Sequence, residues 1–195
     1  MRHTSLVMGN TSLAIALSLL LVGIFAAPAL AGLESATPAA TPTPAPAPSV
    51  GPAFDALMPA YDAARAALSA DRIGDLAQPA RDLRRLLAAP AGELTAEGAG
   101  VPAAKLGEVR ALLPPLRKAS EALVAAATLP AARDAFGELS KSLLAWRKLA
   151  GRGPGIGSCP MVEYPWLQPP EAQVENPYAG KAMAGCGLVQ RDVGR

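Results

Sequence analysis

The chain has 195 residues, 18 basic and 16 acidic, with one histidine, 4% aromatic residues and a hydrophobic fraction of 51%. Such a balance argues against nucleic acid, which needs a concentrated basic face, and gives no pull toward an anionic membrane. Alanine rather than large apolar residues dominates, so the expected core is thin and packed by small side chains.

Residues 1–31 read as a signal peptide. Arg2 and His3 make a short positive start, Leu13 to Ala27 is almost wholly apolar, and Pro28-Ala29-Leu30-Ala31 carries small residues suited to cleavage. The apolar run is short of the roughly 20 residues that a span needs, so no membrane span is expected after cleavage. Tethering by an uncleaved leader is the alternative. The expected location is therefore periplasmic or secreted. Without Arg2 the mature chain has 17 basic residues against 16 acidic, which is near neutrality. Residues 32–52, including TPTPAPAP at 41–48, read as a disordered linker, because alternating prolines favour extended polyproline geometry.

From 53 to 150 the apolar spacing is helical, and the pattern predicts an all-α fold, an antiparallel four-helix bundle. Phe54, Leu57, Met58, Tyr61 and Leu68 form one stripe, ending near Ala70. Asp71 is placed to cap a second helix carrying Ile73, Leu76, Leu83, Leu86 and Leu87, with Pro79 expected to bend it. A Gly-rich loop follows at 91–100. The third helix, about 102–128, holds Leu106, Val109, Leu113, Leu116 and Leu123, and Pro114-Pro115 is expected to kink or split it. The fourth begins at Pro130, shows Phe136, Leu139, Leu143, Trp146 and Leu149, and stops at Gly151 and Gly153. No stretch alternates strongly enough to predict a strand.

Residues 151–195 form a Pro/Gly-rich segment that cannot fold alone and is expected to wrap against the bundle, docked by Tyr164, Trp166 and Tyr178. It holds both cysteines and two of the three methionines of the mature chain, as Cys159-Pro160-Met161 and Met183-Ala184-Gly185-Cys186. Two readings stay open. Thiolate and thioether are soft donors that select copper(I), with silver(I) alike, so Cys159, Met161, Met183 and Cys186 are a candidate metal set. Two cysteines in an exported chain most often form a disulfide, here Cys159–Cys186, with both methionines packed beside it. The only histidine is His3, which removes the usual zinc donor set.

The order CPM, then WLQ, then NPYAGKAMAGCG resembles the signature of a domain of unknown function found in periplasmic proteins, alone or appended to CusB-type heavy-metal efflux adaptors. Arg133, Phe136, Leu139 and Ser140 match that family's last helix. The resemblance covers roughly 53–190 and falls on Cys159, Pro160, Met161, Trp166, Asn176, Pro177, Tyr178, Gly180, Met183, Cys186 and Gly187. It implies a role in heavy-metal or copper handling, with an efflux system or another periplasmic protein as partner, and it makes Trp166, Asn176, Pro177 and Tyr178 structural anchors.

An enzyme is not expected. With no mature-chain histidine there is no Ser-His-Asp or Cys-His arrangement, and the cysteines are too far apart for a CxxC motif. GRGPGIG at 151–157 lacks the Lys-Ser/Thr of a phosphate loop and reads as a helix-ending linker. Asn176-Pro177-Tyr178 reads as a turn in which Asn bonds its own backbone. Glu163, Glu171 and Glu175 read as a solvated rim, and Arg84-Arg85 and Arg117-Lys118 as exposed helix faces. Two function classes result: an exported metal-handling domain, or a disulfide-stapled interaction module with no metal.

Overall fold

A computed structural model describes residues 49–190; the expected leader and most of the expected linker lie outside the described residues. The helical elements are α1 (Pro52–Asp55), α2 (Met58–Ser69), α3 (Ala77–Leu87), α4 (Ala96–Ala99), α5 (Leu106–Ala125) and α6 (Leu129–Ala150). Strands β1 (Gly155–Ser158), β2 (Trp166–Gln168) and β3 (Leu188–Gln190) follow. The all-α expectation is therefore corrected. The four longer helices are accompanied by two single-turn helices and by a three-stranded antiparallel sheet of order β2-β1-β3. Strands of three or four residues are too short to show a period-two pattern, and β1 begins inside the GRGPGIG stretch expected to be linker and ends one residue past it. None of the helices described is long and apolar enough to cross a membrane.

The helical boundaries follow local chemistry. Pro59 sits in the first turn of α2, where its missing amide costs nothing, and the expected first helix is thereby divided into α1 and α2. Asp71 caps no helix. It adopts a left-handed φ of 58° just past α2, and a 3₁₀ turn at Ile73–Leu76 leads into α3. Pro79 falls in the first turn of α3 and bends nothing. The expected Gly-rich loop contains α4, capped by Thr95, whose hydroxyl accepts from the Gly98 amide at 3.0 Å. Helix α5 runs its 20 residues through Pro114 and Pro115. Buried Val109 and Leu113 before the prolines, and Leu116 and Leu123 after them, hold both halves to the same core, which outweighs the lost donors. Thr128 caps the start of α6 and Gly151, at φ 70°, ends it.

The core is continuous from Val50 to Leu167. Helix α2 packs on α3, α3 on α5, and α5 on α6. Tyr61 and Phe136 stack at 4.7 Å, while Phe54 meets Trp146 edge-on at 5.5 Å. The indole N–H of Trp146 donates to the Ala99 carbonyl at 2.9 Å, which satisfies a buried donor. Residues 49–52, assigned by composition to the linker, belong to this packing. Val50 is fully buried, and Arg152 donates to the carbonyls of Ser49 and Val50 at 2.8 and 2.9 Å. Gly100 has φ 67°, and a Cβ there would lie 1.8 Å from the Val50 oxygen, so the chain entry can pass only over a glycine.

Candidate functional site

The loops that join β1 to β2 and β2 to β3 carry the four candidate sulfur atoms, so the site begins with what fixes those loops. In β1, Gly157 stands opposite Trp166 of β2. A Cβ at 157 would fall 2.1 to 2.5 Å from the indole, so the absence of a side chain lets Trp166 cross the strand and become fully buried. Strand β2 lies against the bundle, because the Leu167 amide points away from β1 and donates to the buried Tyr61 hydroxyl at 3.1 Å. Buried Arg147, near the end of α6, donates to the Pro154 and Gly153 carbonyls and fixes the approach to β1.

Cys159 follows β1 directly and is 5% exposed. Cys186 lies two residues before β3 and is half-buried. Ser158 pairs with Leu188 across the β1–β3 ladder, which brings Cys159 and Cys186, 27 positions apart in sequence, to a Cα separation of 6.1 Å with the sulfurs at disulfide distance. Gly187, at φ 129°, lies between them. A Cβ on it would come within 2.5 Å of the Ser158 oxygen and 3.0 Å of the Trp166 ring. Met161 is 73% exposed and Met183 38%. The expectation that a disulfide would have both methionines packed beside it is thus corrected: each lies on an exposed turn, 159–162 and 183–186, closed by the Val162 amide on the Cys159 carbonyl and by the Cys186 amide on the Met183 carbonyl.

The second sulfur limb is held by Asn176, which is fully buried. Its Oδ1 accepts from the Tyr178 and Ala179 amides at 2.9 and 3.2 Å, its amide N–H donates to Ala184, and its Nδ2 donates to the Cys186 carbonyl at 3.1 Å. Tyr178 packs against Phe136, Tyr164 and Trp166 and donates to the Ser140 hydroxyl at 3.1 Å. Tyr61 shares that hydroxyl at 2.7 Å. Burial raises the ionisation of both phenols well above the ordinary range, so they stay protonated and serve as hydrogen-bonding posts. Pro177 presents its carbonyl to the Arg133 guanidinium at 3.0 Å.

Arg65, Asp71 and Arg133 complete the attachment through one ion pair and two hydrogen bonds to the tail, none of which the sequence alone identifies. Arg133 also bonds the Leu68 carbonyl at 3.0 Å and pairs with Asp71. Asp71 accepts in turn from the Lys181 amide at 2.8 Å; that amide, then Arg133, hold its carboxyl below the usual range. Buried Arg65 pairs with Glu175 at 2.6 Å and with Asp62 at 3.4 Å, so Glu175 is a tether although its side chain stays 46% exposed. Arg117, expected on an exposed face, covers the Leu87 and Ala89 carbonyls at the end of α3. A signal for these was present in the spacing. Arg65 lies four residues past Tyr61 and three before Leu68, within the apolar stripe itself, and Arg133 lies three before Phe136.

No group of three or more His, Cys, Asp or Glu side chains converges among the described residues. The donors that the structure does gather are sulfurs. With Cys159 and Cys186 joined, neither is a thiolate; opened, they become two adjacent soft donors, each within three residues of an exposed thioether. No family model, curated protein or solved structure matches the chain.

Proposed function

We propose that the chain is an exported, non-enzymatic domain of the heavy-metal-handling class, in which Cys159, Cys186, Met161 and Met183 hold copper(I) or silver(I) while the cysteine pair is reduced, in association with a metal efflux system or another periplasmic protein. The observation that carries the reading is the placement of the sulfurs. Two cysteines 27 residues apart are brought together, and the methionine beside each remains in solvent instead of filling a core gap. Soft sulfur donors supply a site that discriminates against hard cations, and the chain's residues do no more than hold and release the ion. The disulfide is then the closed state, and a dithiol reductant must open it before the ion can enter.

The test is anaerobic titration of the reduced protein with copper(I) against a competing chelator. Stoichiometric binding that is weakened about tenfold or more in a Met161→Ala/Met183→Ala variant supports the reading. Absence of stoichiometric binding, or binding indifferent to both methionines, sinks it. A second reading is favoured by the disulfide-distance pairing itself: the tail is a permanently stapled interaction surface without a metal. Thiol counting on the exported protein separates the two, because a pair that stays fully oxidised and resists dithiols under native conditions leaves only the staple.

A further inference from the structure

We infer that Cys186 is the sulfur through which a thiol reductant opens the pair, and that Cys159 is the sulfur that leaves; the inference rests on the metal-handling reading only in requiring that the dithiol form be reachable. Thiol–disulfide exchange begins with a thiolate attacking one sulfur in line with the S–S bond, so access decides which sulfur is struck. The two cysteines differ in access. Cys159 is 5% exposed, at the end of β1, with its Cβ behind the bare Cα of Gly187 and the buried Trp166 ring against the same glycine. Cys186 is half-buried in the loop before β3, with exposed Gly185 and Leu188 on either side in sequence. Its main chain is pinned by the Asn176 side chain, which donates to its carbonyl, and by its own amide N–H, which donates to the Met183 carbonyl. Of the two cysteines it is the one open to an incoming group.

The electron count closes with a dithiol donor. One donor thiolate attacks Sγ of Cys186, the S–S bond breaks, and the Cys159 sulfur departs with the bonding pair and takes up a proton. The donor's second thiolate then attacks the donor sulfur of the mixed disulfide, forming the donor's own disulfide and freeing the Cys186 sulfur, which is protonated. Two electrons and two protons thus pass from the dithiol to the protein. The matching partner is a small oxidoreductase or other dithiol whose reactive sulfur reaches Cys186 at the loop before β3, where Leu188 is 75% exposed.

The test uses the full oxidised chain and reduced glutathione as a monothiol probe, with acid quenching and peptide mass mapping of the mixed disulfide, in the absence of any metal. The expected result is an adduct on Cys186 exceeding that on Cys159 by about tenfold or more, formed in native buffer. An adduct on Cys159, an equal mixture, no adduct, or an adduct that appears only at the rate of global unfolding overturns the assignment. Single-cysteine variants give a second readout. The lone thiol of Cys159→Ser reacts with an aromatic disulfide reagent about tenfold faster than the lone thiol of Cys186→Ser, whereas equal rates contradict the proposal. Because no metal enters these measurements, failure of the copper(I) titration leaves them intact, and their failure leaves the titration to be judged separately.

Discussion

Replacement of both cysteines by serine, Cys159→Ser/Cys186→Ser, measures what the covalent link adds to a tail that is also tied down by other means. The link closes a loop with a sequence separation of 27. On the chain-entropy model a loop of that size stabilises the native state by about 3.5 kcal/mol at 25 °C, almost wholly by restricting the unfolded chain. For a domain of roughly 140 ordered residues the unfolding entropy is about 0.3 kcal/mol/K, so the melting temperature should fall by about 12 °C. Thermal unfolding followed by circular dichroism, on the double-serine variant and on wild type with and without a dithiol reductant, reads the shift directly. The variant and the reduced wild type should agree within a few degrees and should keep native near-UV signals from Trp166, since β2 is held by Tyr61 rather than by sulfur. A fall of less than about 3 °C would refute the entropic argument for this loop. Loss of the near-UV signature before the main transition would refute the claim that the tail is docked independently of the disulfide.

Tyr61→Phe removes the acceptor for the buried Leu167 amide and a partner of Ser140, so it should cost about 1–3 kcal/mol in denaturant unfolding, with little change in the m-value. Gly157→Ala places a methyl group 2.1 to 2.5 Å from the Trp166 indole, and overpacking should destabilise the protein by about 1–3 kcal/mol and alter tryptophan fluorescence; an unchanged stability and spectrum would show that Trp166 does not cross the strand there. Asp71→Asn keeps a residue tolerant of the left-handed φ of 58° while removing the charge that binds Arg133 and the Lys181 amide. Its folded-state ionisation is depressed below the ordinary 3.8. The stability that it contributes is therefore present above that value and lost as pH falls through the lower folded-state value. The stability gap between wild type and Asp71→Asn should accordingly be largest near neutrality and shrink below about pH 4; a gap constant from pH 6 to 2.5 would show that the carboxylate is not engaged.

The helical half of the molecule was legible because its signal repeats. The stripes through Tyr61 and Leu68, through Val109, Leu113 and Leu116, and through Phe136, Leu139 and Leu143 each put buried residues on one face, and the packing follows them. The sheet was not legible, since Gly155-Ile156-Gly157-Ser158 has no alternation to read and is a strand only because its glycines admit Trp166 and its edges find partners at 166–168 and 188–190. Proline positions misled in the same way. Pro79 and Pro59 are neutral in first turns, and Pro114-Pro115 are tolerated inside α5, so a proline count does not yield helix ends without the core contacts that oppose it. Within the candidate site, the cysteine pair and the Asn176 turn were readable from local chemistry. The tethering roles of Arg65, Asp71 and Arg133 were not readable, although Asp71 stood out as a helix cap and Arg133 by resemblance, because a charged residue gains its meaning from partners 44 to 110 residues away.

Those distant tethers bear on whether the sulfur cluster can act as a ligand set at all. A disulfide that alone held the tail would, once reduced, release two mobile thiols, and an ion would then have to order both limbs at an entropic cost. Here the limbs are fixed without it. The first is held through β1 by Arg147 and by pairing with β2, and the second through Arg65–Glu175, Arg133–Pro177, Asp71–Lys181 and the Asn176 side chain, while Ser158 and Leu188 hold the two limbs in register next to the sulfurs. Reduction should therefore yield a dithiol that is already assembled, with exposed Met161 two residues from Cys159 and exposed Met183 three from Cys186. On this argument Asp71→Asn and Arg133→Gln should weaken copper(I) binding to the reduced protein even though neither residue carries a donor for a soft ion. They should leave the oxidised protein's fold intact, because the covalent bond then does the same holding. Equal copper(I) affinity in wild type and in both variants would mean that the limbs are ordered by the ion rather than before it.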